Sequence, residues 1–150
     1  MSDTSLTCYK IDAEPFSLIL PSECVAEIVA EPIITADSSQ KAPWMAGYLT
    51  WNSQEIPLLC FENLLVADFE RPEGRLIVTI LNPIPKAARK TYGALLSFGE
   101  VQQITIPSDV EDVASPQEID RRHVEAALAV NGSICIVPRL AALGVAFSYY

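Results

Sequence analysis

The sequence has few of the residues from which catalytic and metal sites are usually built. Its 150 residues include one histidine, His123, and six scattered glycines that form neither a Walker motif nor a Gly-x-Gly-x-x-Gly loop. There is no Gly-x-Ser-x-Gly elbow. The four cysteines contain no Cys-x-x-Cys pair, so we expect reduced core residues rather than zinc ligands. We therefore expect that the protein is not an enzyme and that it binds neither a metal ion nor a cofactor. The cysteines are Cys8, Cys24, Cys60 and Cys135.

Positive charge and long apolar runs are also scarce. Ten lysines and arginines stand against 19 acidic residues, which gives a net charge of −9. This charge repels phosphate backbones and anionic lipid head groups, so we expect no nucleic acid and no membrane surface among the partners. The longest clearly apolar run, Leu140 to Phe147, is too short to span a bilayer. The N-terminal Met-Ser-Asp-Thr-Ser lacks the features of a signal peptide. These features predict a cytoplasmic protein that is not embedded in a membrane.

What the sequence does contain is a series of short apolar runs separated by turn residues. Half of the residues are hydrophobic and eleven are prolines, which are excluded from helix interiors. This spacing predicts an all-β barrel or sandwich. The predicted strands are Leu6–Ile11, Phe16–Leu20, Val25–Val29, Tyr48–Trp51, Glu55–Cys60, Arg75–Leu81, Tyr92–Phe98, Val101–Ile106, Val124–Val130 and Ser133–Val137.

Helices are predicted to be few and short. Phe61–Ala67 carries apolar residues at helical spacing, and Pro138–Leu143 could form a final short helix. Ser115–Glu118 has a capping-box pattern with proline at the first helical position, which predicts a helical turn. The segment Val124 to Leu128 alone fits either a helix or a strand.

The chain also resembles itself. Phe16–Ile28 aligns with Tyr92–Ile104 at a separation of 76 residues, and Leu49–Ser53 aligns with Leu128–Gly132 at a separation of 79. The common order of these matches predicts two similar β lobes, at about residues 6–70 and 75–143. Exchange of strands between the lobes is left open. The alternative interpretation is that two strand-rich stretches of the sequence align only because both are apolar.

Two stretches carry a resemblance to a known family. "FSLILPSECVAEIV" and "APWMAGYLTWNSQEIPLLCFENLL" resemble the CheW-like domain of bacterial chemosensory systems. The matching positions follow the order of the family's motifs. The resemblance implies an all-β fold of two five-stranded, SH3-like β-barrel lobes with a hydrophobic junction and a few short helices. The matching positions are Val25-Ala-Glu27-Ile28, Gly47, Ile56-Pro57-Leu58-Leu59 and Leu64-Leu65.

The resemblance also implies a function and partners. CheW-like domains are non-catalytic signalling adaptors that connect the cytoplasmic tips of methyl-accepting chemoreceptors to a CheA-type histidine kinase. They are recruited to membrane-associated receptor arrays. The stretch "APWMAGYLTW" resembles most the ChpC-type adaptors of pilus chemosensory systems, which serve twitching motility. One departure stands out, because Asn52-Ser53 replaces the Arg-Gly of the family's hairpin turn. Arginine offers five donors and a charge, so its loss is expected to change the coupling.

By analogy with the family, seven residues are expected near partner interfaces. The alternative for the apolar ones is ordinary barrel core. For Glu27 the alternative is a solvated strand position, and for Gly47 it is a bend or bulge that the barrel requires. A rival function is a small-molecule-binding β domain with a cavity between the lobes. The seven residues are Val25, Glu27, Ile28, Gly47, Asn52, Val101 and Ile104.

Overall fold

The computed structural model describes residues 6–12, 16–30, 32–35, 44–65, 70, 76–83, 92–107, 110–113, 121–130 and 132–147. Within these residues the chain forms twelve strands and two short α-helices, so the all-β prediction is confirmed. The helices are α1 (Phe61–Leu65) and α2 (Leu140–Phe147). The strands are β1 (Leu6–Ile11), β2 (Ser17–Pro21), β3 (Val25–Ala30), β4 (Ile33–Thr35), β5 (Met45–Trp51), β6 (Gln54–Cys60), β7 (Ile77–Leu81), β8 (Gly93–Ser97), β9 (Val101–Ile106), β10 (Glu111–Val113), β11 (Val124–Val130) and β12 (Ser133–Pro138).

The ten predicted strands are all present, and two further strands complete the sheets. Both additional strands, β4 and β10, are only three residues long. The sequence of β10, Glu-Asp-Val, shows no alternation of apolar and polar residues. Its two acidic side chains are exposed in the structure. These strands make each sheet six-stranded rather than five-stranded. The helical turn predicted at Ser115–Glu118 lies outside the described residues.

The strands form two sheets of identical topology. Sheet A has the strand order β10-β11-β12-β2-β1-β9, and sheet B has the order β4-β5-β6-β8-β7-β3. Adding six to the number of each strand from β1 to β6, and subtracting six from the number of each strand from β7 to β12, converts one order into the other. Each sheet also contains one parallel pair at the same place, β12 with β2 and β6 with β8. The internal similarity in the sequence therefore corresponds to a structural repeat, in which each sheet takes two strands from one half and four from the other.

The repeat is most regular in the β5–β6 and β11–β12 hairpins. In the first, Met45 pairs with Leu59 and a β-bulge follows before Gly47. In the second, Val124 pairs with Pro138 and a bulge follows at the corresponding place. All of these positions are 79 residues apart, as the sequence alignment of the two turns predicts.

The alignment of Phe16–Ile28 with Tyr92–Ile104 is displaced by one residue over most of its length. Leu20 corresponds to Leu95, because both side chains belong to the same buried cluster between the sheets. The sequence match had paired Leu20 with Leu96, which points into sheet B instead. The match of Val25 with Val101 is correct, since both pack against the cluster between the sheets.

A bulge explains why the match fails again after Val25. The β3–β7 pairing shifts register between Val25 and Glu27, so β3 carries one extra residue. Ile104 consequently corresponds to Val29, not to Ile28. Ile104 packs against the interior cluster of sheet A, and Val29 packs against that of sheet B. An alignment without gaps cannot follow such a change.

Three hydrophobic clusters hold the structure together. One lies inside sheet B, one lies inside sheet A, and the largest lies between the sheets. We call the last one the junction cluster. It combines side chains of both sheets with side chains of both helices, including Leu20, Leu95, Phe61, Leu143 and Phe147. The two sheets are therefore joined by a shared apolar core.

Helix α2 reaches from sheet A onto sheet B. Its last residue, Phe147, lies against Gly93 at the start of β8, and a Cβ atom built on Gly93 would come within 2.4 Å of the Phe147 ring. The ring needs the space that a side chain would fill. Trp44, which precedes β5, also packs against the junction cluster.

Candidate docking surfaces

Strand β3 forms one edge of sheet B and carries three of the predicted interface residues. Among the described strands it pairs only with β7, which makes it an edge strand of the described sheet. Glu27 is exposed, whereas Val25 and Ile28 are half-buried. Val25 packs against the junction cluster, and thus stands where the edge strand meets the boundary between the sheets.

Strand β9 is the counterpart of β3 at the edge of sheet A. It pairs with β1 among the described strands, and its pattern of exposure is nearly the same as that of β3. Val101 packs against the junction cluster, as Val25 does. Ile104 packs against the interior of sheet A, as the barrel-core alternative predicts for it. The exposed polar residues of this edge are Gln102, Gln103 and Thr105.

Glu27 accepts a hydrogen bond from a distant strand. The indole Nε1 of Trp51, at the end of β5, donates to Glu27 Oε2 at 3.2 Å. In a flat sheet, β3 and β5 would be about 19 Å apart, because four strand spacings separate them. The contact shows that sheet B curls into a barrel and brings its two ends together.

A second aromatic residue completes this contact. The ring of Tyr92, which directly precedes β8, lies edge-to-face against Trp51 with 4.9 Å between the centroids. Both rings are half-buried and pack against the interior cluster of sheet B. Glu27, Trp51 and Tyr92 therefore form one surface, which we call the Trp51 cluster. Sequence reasoning missed it, because the three residues are far apart in the chain.

Gly47 lies at the bulge of β5. Its φ of 105° is in the region that favours glycine, and the residue is buried. The backbone conformation at this position explains why the residue is glycine. This agrees with the alternative interpretation of Gly47 as a residue that a bulge requires. A side chain here would strain the strand, so Gly47 shapes β5 and the hairpin that follows it.

The Asn52-Ser53 turn joins β5 to β6 through two residues. Asn52 has a φ of 50° and Ser53 a φ of 62°, as in a type I′ hairpin turn, and these are the only non-glycine residues with positive φ among those described. Asparagine tolerates this conformation well, whereas serine and arginine do not. The loss of the family's arginine therefore matches the backbone geometry of this turn.

An apolar groove lies beside the start of α2. Its volume is about 300 Å³, and its walls come from the end of β2, the end of β12 and the first turn of the helix. Leu20 and Leu140 link the groove to the junction cluster. One rim carries an exposed ion pair between Arg139 Nε and Glu125 Oε2 at 3.4 Å. Arg139 also donates from Nη2 to the carbonyl of Val124 at 3.3 Å.

The residues considered for chemistry occupy structural positions. His123 ends a 3-10 turn, and its carbonyl accepts a hydrogen bond from the backbone N–H of Arg139 at 2.9 Å. Cys8 and Cys135 are buried, and burial raises the pKa of both thiols. In the described part of the chain, no three histidines, cysteines or acidic residues are grouped so that they could hold a metal ion. None of its helices is long and apolar enough to cross a membrane.

Comparison with known proteins gives a clear likeness in fold. No protein-family model and no curated protein matches the sequence. Among solved structures, the chain is similar to the scaffolding protein TtCheW from Thermoanaerobacter tengcongensis, with a TM-score of 0.76 and 16% sequence identity. The likeness covers 93% of this chain and 92% of that chain. The ChpC-type assignment stays a prediction. The chain therefore has the fold of a CheW-like domain, as the sequence resemblance implied.

Proposed function

We propose that this protein is a non-catalytic signalling adaptor that couples chemoreceptors to a CheA-type histidine kinase. The observation that carries the proposal is the match of nearly the whole chain to a solved CheW scaffolding protein. The motifs around Val25–Ile28 and Ile56–Leu59 support it independently, because they were identified in the sequence without the fold. The adaptor would act in the cytoplasm, at receptor arrays beneath the membrane.

The groove beside α2 is the proposed seat for the receptor tip. A receptor tip is helical, and an amphipathic helix places its apolar face into a groove of this kind. The groove is apolar along its floor and carries a charged pair on one rim. Ala141 is exposed and lines the groove, so it offers a position where a charge can be added without disturbing the core.

The edge of sheet B is the proposed seat for the kinase. Val25, Glu27 and Ile28 lie on β3, and Asn52 lies in the turn beside the Trp51 cluster. Val101 and Ile104 are proposed to serve in the same way on the edge of sheet A, with Gly47 acting through the shape of β5. Each interface would bury about 800 Å² per partner or less, and many weak contacts would gain avidity in an array.

Binding measurements on both partners test the proposal. A chemoreceptor cytoplasmic fragment and a CheA regulatory domain would each be immobilised, and binding of the chain measured by biolayer interferometry. We expect Ala141→Glu to weaken receptor binding about tenfold and to leave kinase binding unchanged. Val145→Glu is the matched control, because Val145 is exposed on the same helix but does not line the groove.

A charge reversal tests the kinase surface. We expect Glu27→Lys to weaken binding to the CheA domain about tenfold, because it alters the edge and removes the acceptor for Trp51. Glu55→Lys makes the same charge change at an exposed position of β6 and should have little effect. Absence of binding to both partners by the unaltered chain would refute the adaptor function.

The motility system is a finer part of the same proposal. The stretch from Ala42 to Trp51 resembles the pilus-associated adaptors, so we propose service to twitching rather than swimming. Deletion of the gene should abolish directed twitching in the source organism and leave flagellar swimming unchanged. The opposite phenotype would assign the protein to flagellar chemotaxis.

A further inference from the structure

The interior of sheet A contains a second apolar cavity, which the adaptor function does not use. Its volume is about 310 Å³, and nine residues from β1, β2, β9, β11, β12 and the loop after β9 line it. Leu6, which is 51% exposed, lies at its wall and marks the side that faces solvent. The cavity therefore lies within sheet A, next to the groove beside α2, with which it shares Pro21 and Val137.

The side chains that line the cavity differ in size from their counterparts in sheet B. Five of the lining positions have counterparts in the strands of the other sheet, as the strand pairing shows. Three of the counterparts are larger, Leu49 has the same size as Leu128, and Ala94 is smaller than Ile19. All five counterparts are at least 94% buried. The larger counterparts are Val78 for Cys8, Leu96 for Pro21, and Leu58 for Val137.

The lining defines what the cavity can hold. None of the nine residues is charged, and Cys8 is the one polar side chain among them. Its thiol lies 3.8 Å from the carbonyl oxygen of Leu6. A charged ligand would lose its hydration here without a partner, which is costly. A cavity of about 150 Å³ holds benzene, so this one has room for about twelve non-hydrogen atoms.

We propose that sheet A binds one small, uncharged and largely apolar molecule in this cavity, of the size of a two-ring aromatic compound. The volume is at the lower end of the range for small-molecule sites. The ligand would enter beside Leu6 and lie between Ile19 and Leu128. This proposal does not rest on the adaptor function, although Pro21 and Val137 line both the cavity and the groove beside α2.

The probe for the test is 2-naphthol, which is fluorescent and uncharged at pH 7. Its charged analogue 2-naphthalenesulfonate is the control ligand. We expect saturable binding of one 2-naphthol per chain, with methyl NMR shifts at Ile19, Ile106 and Leu128 and none at Ile56 or Leu58 in sheet B. The sulfonate should bind at least about tenfold more weakly, because its charge cannot be solvated.

Variants that fill the cavity locate the binding. Val110→Trp adds a large side chain at a half-buried loop position in its wall and should weaken 2-naphthol binding at least about tenfold. Ile134→Trp adds the same side chain at an exposed position of β12 that does not line the cavity, and should retain binding. Leu128→Phe serves as a second filling variant if Val110→Trp does not fold. Melting curves confirm that each variant is folded.

Three results would overturn the proposal. They are equal binding of the sulfonate, unchanged binding by a folded cavity-filling variant, and displacement of 2-naphthol by the CheA regulatory domain. The last result would mean that an apolar side chain of a partner protein fills the cavity. Loss of partner binding in the adaptor assay would not affect the first two measurements, which need no partner protein.

Discussion

The two sheets have one topology and different interiors. Sheet B is packed with aliphatic side chains, among them Ile56, Leu58 and Ile80, all fully buried. At the corresponding positions sheet A has Cys135, Val137 and Lys10, and its interior cluster contains two cysteines and two isoleucines. The comparison teaches that strand order and hairpin register do not require a tightly filled interior. Apolar character and alternation are sufficient for the fold, and close packing adds stability.

The interiors of the two sheets therefore differ in composition. The interior cluster of sheet B contains six larger aliphatic side chains and Ala94. Sheet A leaves an apolar cavity of about 310 Å³. Because the junction cluster ties both sheets together, the stability of sheet B can support a looser sheet A.

The comparison is tested most strongly by truncating equivalent core residues. Ile56 and Cys135 occupy the same place in the two hairpins, since each pairs with the corresponding leucine of the preceding strand. We expect Ile56→Ala to lower the free energy of unfolding by about 3 to 4 kcal/mol, because it removes three carbons from a closely packed core. Cys135→Ala removes one sulfur atom and should cost about 1 kcal/mol.

Urea unfolding monitored by circular dichroism measures both changes. The comparison assumes that the two variants unfold in a single transition, so coincidence with tryptophan fluorescence should be checked. Equal losses in the two variants would contradict the inference that sheet B is the more closely packed sheet.

A second test concerns Gly93 and Leu18, which are equivalent positions at the junction cluster but differ in side-chain size. Gly93 corresponds to Leu18, and the space that Leu18 fills in one half is taken by the Phe147 ring in the other. We expect Gly93→Ala to destabilise the fold by about 2 kcal/mol, because the added Cβ overlaps a buried ring. Thermal melting measures the loss.

A compensating substitution sharpens that result. Phe147→Leu shortens the helix side chain and should recover part of the stability in the Gly93→Ala background, while it destabilises the unaltered chain. Additive losses in the double variant would mean that the two residues do not share the contact.

Much of the fold could be predicted from short apolar runs and turn residues. All ten predicted strands are present, because strands such as Ser17–Pro21 and Ile77–Leu81 are apolar runs bounded by turns. Strands β4 and β10 could not be predicted, since three residues carry no alternation. The match of Leu20 with Leu96 is displaced because Leu95 lies six residues before Val101, whereas Leu20 lies five residues before Val25. The later match of Ile28 with Ile104 fails because of the bulge in β3. A single bulge changes which face each residue presents, and apolar residues occur on both faces.

The candidate surfaces were less predictable than the fold. The sequence motif directed attention to Glu27, but its partner Trp51 is 24 residues away and meets it only because the sheet closes into a barrel. The groove and the cavity have no local signal. Each is formed by residues such as Pro21 and Val137 that are close only across paired strands. Sequence patterns predict local elements, whereas sites between elements depend on curvature and side-chain volume.

The smallest expected effect comes from the two hairpin turns, which differ by one residue. The first is Asn52-Ser53, which the sequence aligns with Asn131-Gly132; the φ angle is 62° at Ser53 and 80° at Gly132. Because a side chain is strained at positive φ, Ser53→Gly should stabilise the fold by about 0.5 to 1 kcal/mol, and Asn52→Arg should destabilise it by about 1 kcal/mol. Gly132→Ser is the reciprocal control, with an expected loss similar to the Ser53→Gly gain. Urea midpoints measure all three. If Ser53→Gly leaves the midpoint unchanged, turn strain does not distinguish the two halves, and the serine must be explained by its exposed surface.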